Sequence, residues 1–168
     1  SWGGEFHWAT INASAPSGFI HFHDQATMSD GSFIQVSGAP EVYRVAGGAP
    51  LYVDSWDPYG TSQPLQVISQ GDFNKLSQYP RDGTCIFDIQ ANRMYVVAGG
   101  APLYVSASDA GNVPGYNGGS GCVWETDFEF KNYWHLRPYP ADGTCIYNVD
   151  NGRTYVVSGG APLYISSA

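Results

Sequence analysis

The residues of this chain that are best suited to chemistry are its aromatic side chains. Five tryptophans of the 168-residue chain lie outside its three repeated blocks, in the N-terminal segment and the connectors: Trp2, Trp8, Trp56, Trp124 and Trp134. Flat aromatic faces stack on the C–H faces of sugar rings, and pockets that combine them with Asp, Asn and Gln side chains suit neutral polar ligands. We therefore predict sugar contacts at Trp56, Trp124, Trp134, Tyr52, Tyr104 and Tyr164. The alternative for the three tyrosines, which recur at equivalent positions, is that they pack under a loop.

Two histidines, His21 and His23, are candidates for a metal site. They alternate in the stretch His-Phe-His-Asp, and alternating residues lie on one face of a β-strand. Two imidazoles on one face can bind a metal ion. The sequence identifies no third ligand, so ordinary surface histidines remain the alternative, and we predict no cofactor.

The stretch Glu-Thr-Asp-Phe-Glu-Phe at 125–130 places three carboxylates on one face of a predicted strand. Such a row can bind calcium or supply the carboxylate pair of a glycoside hydrolase. The simpler interpretation is a strand with a solvated, charged outer face. The sequence contains no motif of a serine hydrolase, a zinc protease or a phosphate-binding loop, which favours a non-catalytic protein.

Cys85 and Cys145 hold equivalent positions in two copies of a repeated segment. If the copies surround a threefold axis, equivalent buried residues approach that axis, and Cys85 and Cys145 become a candidate disulfide. The alternatives are two small core residues or a bond from either one to Cys122.

The elements that must position these residues come from a segment that occurs three times. The blocks 30–53, 82–105 and 142–165 align without a gap. Each block begins with Asp-Gly and ends with Gly-Gly-Ala-Pro-Leu-Tyr followed by Val or Ile. Repeats of this period indicate supersecondary units that bury their apolar faces on neighbouring copies. In each block we predict two strands joined by a short loop, a bend at Gly-Gly and a third strand.

Each of the two connecting segments predicts a fourth strand followed by a helical turn. The turn is expected at 72–76 in the first connector and near 132–136 in the second. A further strand is predicted at 18–23, and it could complete the third unit. We therefore expect one all-β domain over 1–168, made of three pseudo-symmetric repeats of about four strands in a closed, β-trefoil-like arrangement. The alternative is a small set of propeller-like blades.

The repeated signature resembles the tandem Gly-Gly-Ala-Pro-Leu-Tyr-Val repeats of secreted and cell-surface proteins of actinobacteria. The resemblance covers the three blocks and the Tyr-Pro pairs that lead into two of them, at 79–80 and 139–140. It implies a secreted, non-catalytic accessory module. It carries over no catalytic residue.

The composition narrows the classes of partner. Seven basic against fifteen acidic residues give a formal charge of −8, which disfavours nucleic acid and an anionic membrane surface. No apolar run is long enough to span a bilayer. The sequence thus predicts a secreted or cell-surface module that binds a polysaccharide or cell-wall glycan. The alternatives are a structural or adhesive repeat that contacts another protein chain, and a glycoside hydrolase that uses acidic residues of the non-repeated segments.

Overall fold

The chain folds as a series of small β-sheets in the computed structural model, which describes residues 28–113, 116–125, 134–148 and 151–165. Within these ranges, eleven strands form three separate sheets, one for each repeated block. The first sheet contains β1 (Phe33–Val36), β2 (Val42–Ala46), β3 (Ala49–Val53) and β4 (Leu65–Ile68). The second sheet contains β5 (Cys85–Asp88), β6 (Arg93–Ala98), β7 (Ala101–Val105) and β8 (Val123–Glu125). The third sheet contains β9 (Cys145–Asn148), β10 (Arg153–Ser158) and β11 (Ala161–Ile165). The connecting segments contain α1 (Gln70–Phe73) and three 3-10 turns, Asp57–Tyr59, Ala110–Asn112 and Asn117–Gly119. None of the helices in these ranges is long and apolar enough to cross a membrane.

Each block forms a three-stranded antiparallel meander, as its turn residues predict. The Gly-Gly pair is the two-residue turn between the second and third strands, and φ is 55° at Gly47 and 82° at Gly48. A turn with positive φ at both central residues matches the twist of antiparallel strands, and glycine adopts it without a Cβ penalty. The predicted bend at Gly-Gly is therefore confirmed as a tight hairpin.

A fourth strand from the connector joins the first two sheets. β4 pairs with β1, and β8 pairs with β5, in both cases in parallel. After β4, the hydroxyl of Ser69 caps α1 by accepting a hydrogen bond from the backbone N–H of Asp72 at 3.0 Å. The fourth strand and the helical turn predicted for the first connector are thus confirmed, with α1 beginning two residues earlier than expected. Of the corresponding turn predicted near 132–136 in the second connector, residues 132 and 133 lie outside the described residues, and 134–136 form a turn that is not helical.

The predicted closed arrangement is wrong. The three sheets have the strand orders β3-β2-β1-β4, β7-β6-β5-β8 and β11-β10-β9, and none of them closes. A trefoil-like ring, or a ring of blades, assumed that an N-terminal strand would complete the third unit; that strand, predicted at 18–23, lies outside the described residues. The first two sheets instead take their fourth strand from the connector that follows their own block. Because each of these units is completed locally, its fold does not require a ring.

The sheets pack on one another through the leucine of the Gly-Gly-Ala-Pro-Leu-Tyr segment. Leu51 of the first sheet is fully buried in one apolar cluster with Ile86 and Val97 of the second. Leu103 of the second sheet packs in the same way on Ile146 and Val157 of the third. Full burial of a leucine side chain contributes roughly 1.5–3 kcal/mol, so these contacts are a main source of cohesion between units.

The Gly-Gly turn of each of the first two blocks is also held by the segment that opens the next block. In the first junction, the carbonyl of Gly47 accepts a hydrogen bond from the N–H of Arg81, and that of Gly48 accepts one from the N–H of Ser77, both at 3.0 Å. A Cβ at Gly47 would overlap the hydroxyl of Thr84. Only glycine therefore allows this close approach of the two backbones.

The second junction repeats the backbone hydrogen bonds of the first. The carbonyl of Gly99 accepts a hydrogen bond from the N–H of Ala141 at 3.0 Å, and that of Gly100 accepts one from the N–H of Arg137 at 2.8 Å. A Cβ at Gly99 would overlap the hydroxyl of Thr144. The recurrence of the Gly-Gly signature is thus explained by a contact between successive blocks.

His135 precedes the second junction and contacts the segment that leads into the first. Its Nδ1 lies 2.9 Å from the carbonyl oxygen of Gln78. Burial lowers the pKa of this imidazole below its usual 6.5, although the contact with Gln78 opposes the change.

We expect His135 to decrease the free energy of unfolding as the pH is lowered from about 7.5 to 5.5. In this range the unfolded chain takes up a proton that the folded imidazole resists, so acid favours unfolding. Urea midpoints measured at both pH values should therefore differ less for His135→Gln than for the wild type. An identical pH dependence in the two proteins would contradict the prediction.

Candidate functional site

Trp124 presents a fixed aromatic surface to solvent. It lies in β8 opposite Phe87 of β5, and the two ring centroids are 5.1 Å apart. The indole N–H donates a hydrogen bond to the carbonyl of Gly119 at 3.2 Å. The side chain nevertheless remains 45% exposed. The predicted contact residue Trp124 is thus oriented by the protein and accessible.

Trp56 lies in a second aromatic group on the first sheet. It directly precedes the 3-10 turn that contains Tyr59, and the centroids of these two rings are 6.1 Å apart. Phe33 of β1 contacts both rings, with centroid distances of 5.2 Å in each case. Trp56 is half-buried by this packing.

Arg44 joins the two aromatic groups across the first junction. Its guanidinium carbon lies 4.7 Å from the ring centroid of Phe33 and 5.4 Å from that of Tyr59, which are cation–π distances. Its Nη1 donates a hydrogen bond to the carbonyl of Trp124. The hydroxyl of Tyr59 donates to the same carbonyl at 3.2 Å. Arg44 and Tyr59 therefore link the predicted residues Trp56 and Trp124 in one connected group, called the aromatic cluster below: Phe33, Arg44, Trp56, Tyr59, Phe87 and Trp124.

The other predicted aromatics lie in different surroundings. Trp134 stands in the second connector and is 67% exposed. The three repeated tyrosines occupy β3, β7 and β11, and each makes an edge-to-face contact of about 6 Å with a tyrosine on the neighbouring strand: Tyr52 with Tyr43, Tyr104 with Tyr95, and Tyr164 with Tyr155. They belong to three different sheets. The structure thus distributes these tyrosines and does not gather them into one site.

A polar cleft of about 280 Å³ lies where the first block meets the second. Asp30, Arg81, Asp82 and Thr84 supply its polar groups. Both carboxylates already accept backbone hydrogen bonds, Asp30 from Gly48 at 3.1 Å and Asp82 from Gly99 at 2.7 Å. Arg81 and Asp30 form an exposed ion pair at 3.5 Å. The cleft carboxylates therefore hold Gly-Gly turns, which is a structural role.

The cysteine pairing differs from the predicted Cys85–Cys145 disulfide. Cys85 is bonded to Cys122, with their Cα atoms 4.5 Å apart, and Cys145 is free and exposed. The prediction assumed that the copies surround an axis, whereas the sheets stack in sequence. Cys122 directly precedes β8, so the parallel pairing of β8 with β5 brings it to Cys85.

In the described ranges, no group of three His, Cys, Asp or Glu side chains is arranged to hold a metal ion. The candidate ligands His21 and His23 lie outside those ranges, as do residues 126–130 of the predicted acidic strand. Glu125, the first carboxylate of that strand, is fully buried at the end of β8. This position differs from the solvated face that the alternation indicates.

Sequence reasoning missed Arg44 and Tyr59 as parts of the aromatic cluster. A signal for Arg44 exists in the repeat alignment, because the equivalent positions in the other two blocks are Val96 and Val156. A charged residue at a position that is otherwise apolar indicates a contact peculiar to that block. No comparable signal marks Tyr59, whose role depends on how the first connector folds back.

Together, these observations define a class: a tandem β-repeat protein with an aromatic cluster at the junction of two units. The chain matches no protein-family model, no curated protein and no solved structure at a significant level.

Proposed function

We propose that this protein is a non-catalytic, secreted module that binds a polysaccharide or cell-wall glycan, with Trp124 as the principal contact. The observation that carries the proposal is that the Trp124 indole is held by Phe87 and Gly119 and still offers 45% of its surface to solvent. A rigid, amphipathic ring gives a large contact area and loses little entropy on binding.

The neighbouring groups suit an extended polar ligand. Trp56 and Tyr59 continue the aromatic surface on the other side of the junction, and Arg44 adds donor groups between them. Hydroxyl groups of a sugar can accept hydrogen bonds from a guanidinium, while aromatic faces cover the C–H groups. The formal charge of −8 favours a neutral glycan over a polyanionic one.

The disulfide supports an extracellular location. A bond between Cys85 and Cys122 is stable in an oxidising compartment and is rare in the cytosol. The hydrolase alternative gains no support from the described residues, since both carboxylates of the polar cleft are engaged by Gly-Gly turns.

Replacement of Trp124 by alanine should abolish most of the affinity. The ligand screen is a panel of neutral polysaccharides and solubilised cell-wall glycans, followed by calorimetric titration of the glycan that binds. We expect Trp124→Ala to weaken binding at least about tenfold, which corresponds to ~1.4 kcal/mol of lost stacking. Trp124→Phe should retain part of the affinity, because the ring remains.

Tyr147→Ala is the matched control, since it removes an aromatic ring of similar exposure that lies outside the aromatic cluster and is not a predicted sugar contact. It should bind as the wild type does, and the melting temperatures of all variants should be compared to exclude unfolding. The proposal fails if no glycan of the panel binds, or if Trp124→Ala binds as tightly as the wild type.

A further inference from the structure

None of the described residues covers the outer face of the third sheet, whereas described residues do cover the first two sheets. Leu51 is fully buried, whereas its counterpart Leu163 is 52% exposed. Ala161 is exposed, whereas Ala49 and Ala101 are buried. Ile165, which shares the face of Leu163 on the same strand, β11, adds further exposed apolar surface. Contiguous apolar surface of this kind marks an interaction site.

The Gly-Gly turn of the third block already has the conformation that the docked turns adopt. At Gly159 and Gly160 φ is 58° and 75°, compared with 55° and 79° at Gly99 and Gly100. A Cβ at Gly159 would meet no atom within 4 Å. The turn is thus preformed, and no described residue occupies the space beside Gly159, while Gly160 is flanked by Tyr139 as Gly100 is by Tyr79. A partner would therefore not have to reorganise the turn.

The two internal junctions show which chemistry fits this face. In both, the partner donates backbone N–H groups from the residues one and five positions before an Asp-Gly pair: Arg81 and Ser77 in the first junction, Ala141 and Arg137 in the second. In both, a threonine two positions after the aspartate packs on the first glycine, as Thr84 and Thr144 do. In both, the leucine that follows the Gly-Gly turn, Leu51 or Leu103, packs on the apolar face of the β-hairpin in the next block.

We propose that the open face, defined as Gly159, Gly160, Ala161 and Leu163, is a docking surface for one more block of the same design. Its partner is a segment of the form Leu-x-x-Tyr-Pro-x-Asp-Gly-Thr that leads into an apolar β-hairpin. Repeats of this kind depend on their neighbours for the burial of their apolar faces.

A second copy of this chain fits the open face less well than a further block does. The opening segments of the second and third blocks already contact Gly47 and Gly99. In the first block, Ile34 and Val45, the counterparts of Ile86 and Val97, are fully buried within the chain. Leu163 of another molecule therefore finds no free apolar hairpin face among these residues.

The test extends the full chain by a second copy of residues 106–165, joined after Ile165. This joint rebuilds the sequence of the second junction, because Ile165 occupies the position of Val105. Leu163→Asp is then introduced into the original and the extended chain, and melting temperatures are measured. The substitution should lower the melting temperature by less than about 2 °C in the original chain and by more than about 5 °C in the extended one.

Val67→Asp is the matched control, because Val67 is an apolar residue on β4 that is exposed outside any junction. It should have the same small effect in both chains. A similar small effect of Leu163→Asp in both chains would overturn the proposal, as would an added unit that unfolds in a separate transition or makes the extended chain aggregate. Association of the original chain with itself that Leu163→Asp abolishes would assign the face to a second copy and would also overturn it.

Discussion

Gly99→Ala should destabilise the protein by about 2–4 kcal/mol more than Gly159→Ala, although both glycines have nearly the same backbone conformation. With φ of 55° and 58°, the two substitutions share the strain of a side chain in the left-handed region. They differ in what the new methyl group meets. At Gly99 it would overlap the Thr144 hydroxyl and lie 2.7 Å from the backbone nitrogen of Ala141, whereas at Gly159 it meets nothing within 4 Å.

The measurement is the free energy of unfolding from urea titration of the wild type and the two variants. Gly47→Ala should behave like Gly99→Ala, because a methyl group there would lie 2.7 Å from the backbone nitrogen of Arg81. Equal losses in Gly99→Ala and Gly159→Ala would mean that the turn conformation, and not the contact with the next block, explains the glycines.

Removal of the disulfide should cost about 3–4 kcal/mol, because the bond closes a long loop. Cys85 and Cys122 are 37 residues apart in the sequence, and both are buried in the cluster that the second connector forms over β5 and β6. Cys122→Ala should therefore lower the urea midpoint strongly, while Cys145→Ala should change it little, since Cys145 is exposed and free.

Alkylation without reductant tests directly which cysteines form the disulfide. In the folded wild type only Cys145 should be labelled, and after reduction under denaturing conditions all three cysteines should be labelled. Labelling of Cys122 before reduction would contradict the pairing described here.

Local structure was predictable where single residues dictate it. The Gly-Gly pairs predicted the hairpins because positive φ at two successive residues excludes most other side chains. The fourth strand of the first connector was also predicted, from the similarity of the two connecting segments. The parallel pairing of β4 with β1 did not follow, because strand partners depend on how a long connector crosses the sheet. The wrong prediction of a closed arrangement has the same origin, because it did not include the pairing by which each of the first two units obtains its fourth strand from its own connector.

The candidate site was predictable in part. Trp124 and Trp56 were chosen because they stand outside the repeated blocks, and the structure places them in one cluster. Their connection through Arg44 and Tyr59 is a tertiary contact between residues about 65–80 positions apart, for which a local pattern contains no signal. The disulfide failed for a related reason: the equivalence of Cys85 and Cys145 describes the repeat, whereas pairing depends on proximity.

The junctions are built from backbone groups of the Gly-Gly turn and of the few residues that open the next block, so the connectors can vary in length without altering them. The starts of successive blocks are 52 and 60 residues apart, yet the hydrogen bonds of both junctions are the same. An insertion in a connector can therefore leave the contact between successive units unchanged. A protein of this design can acquire new recognition loops by grafting while its scaffold stays constant.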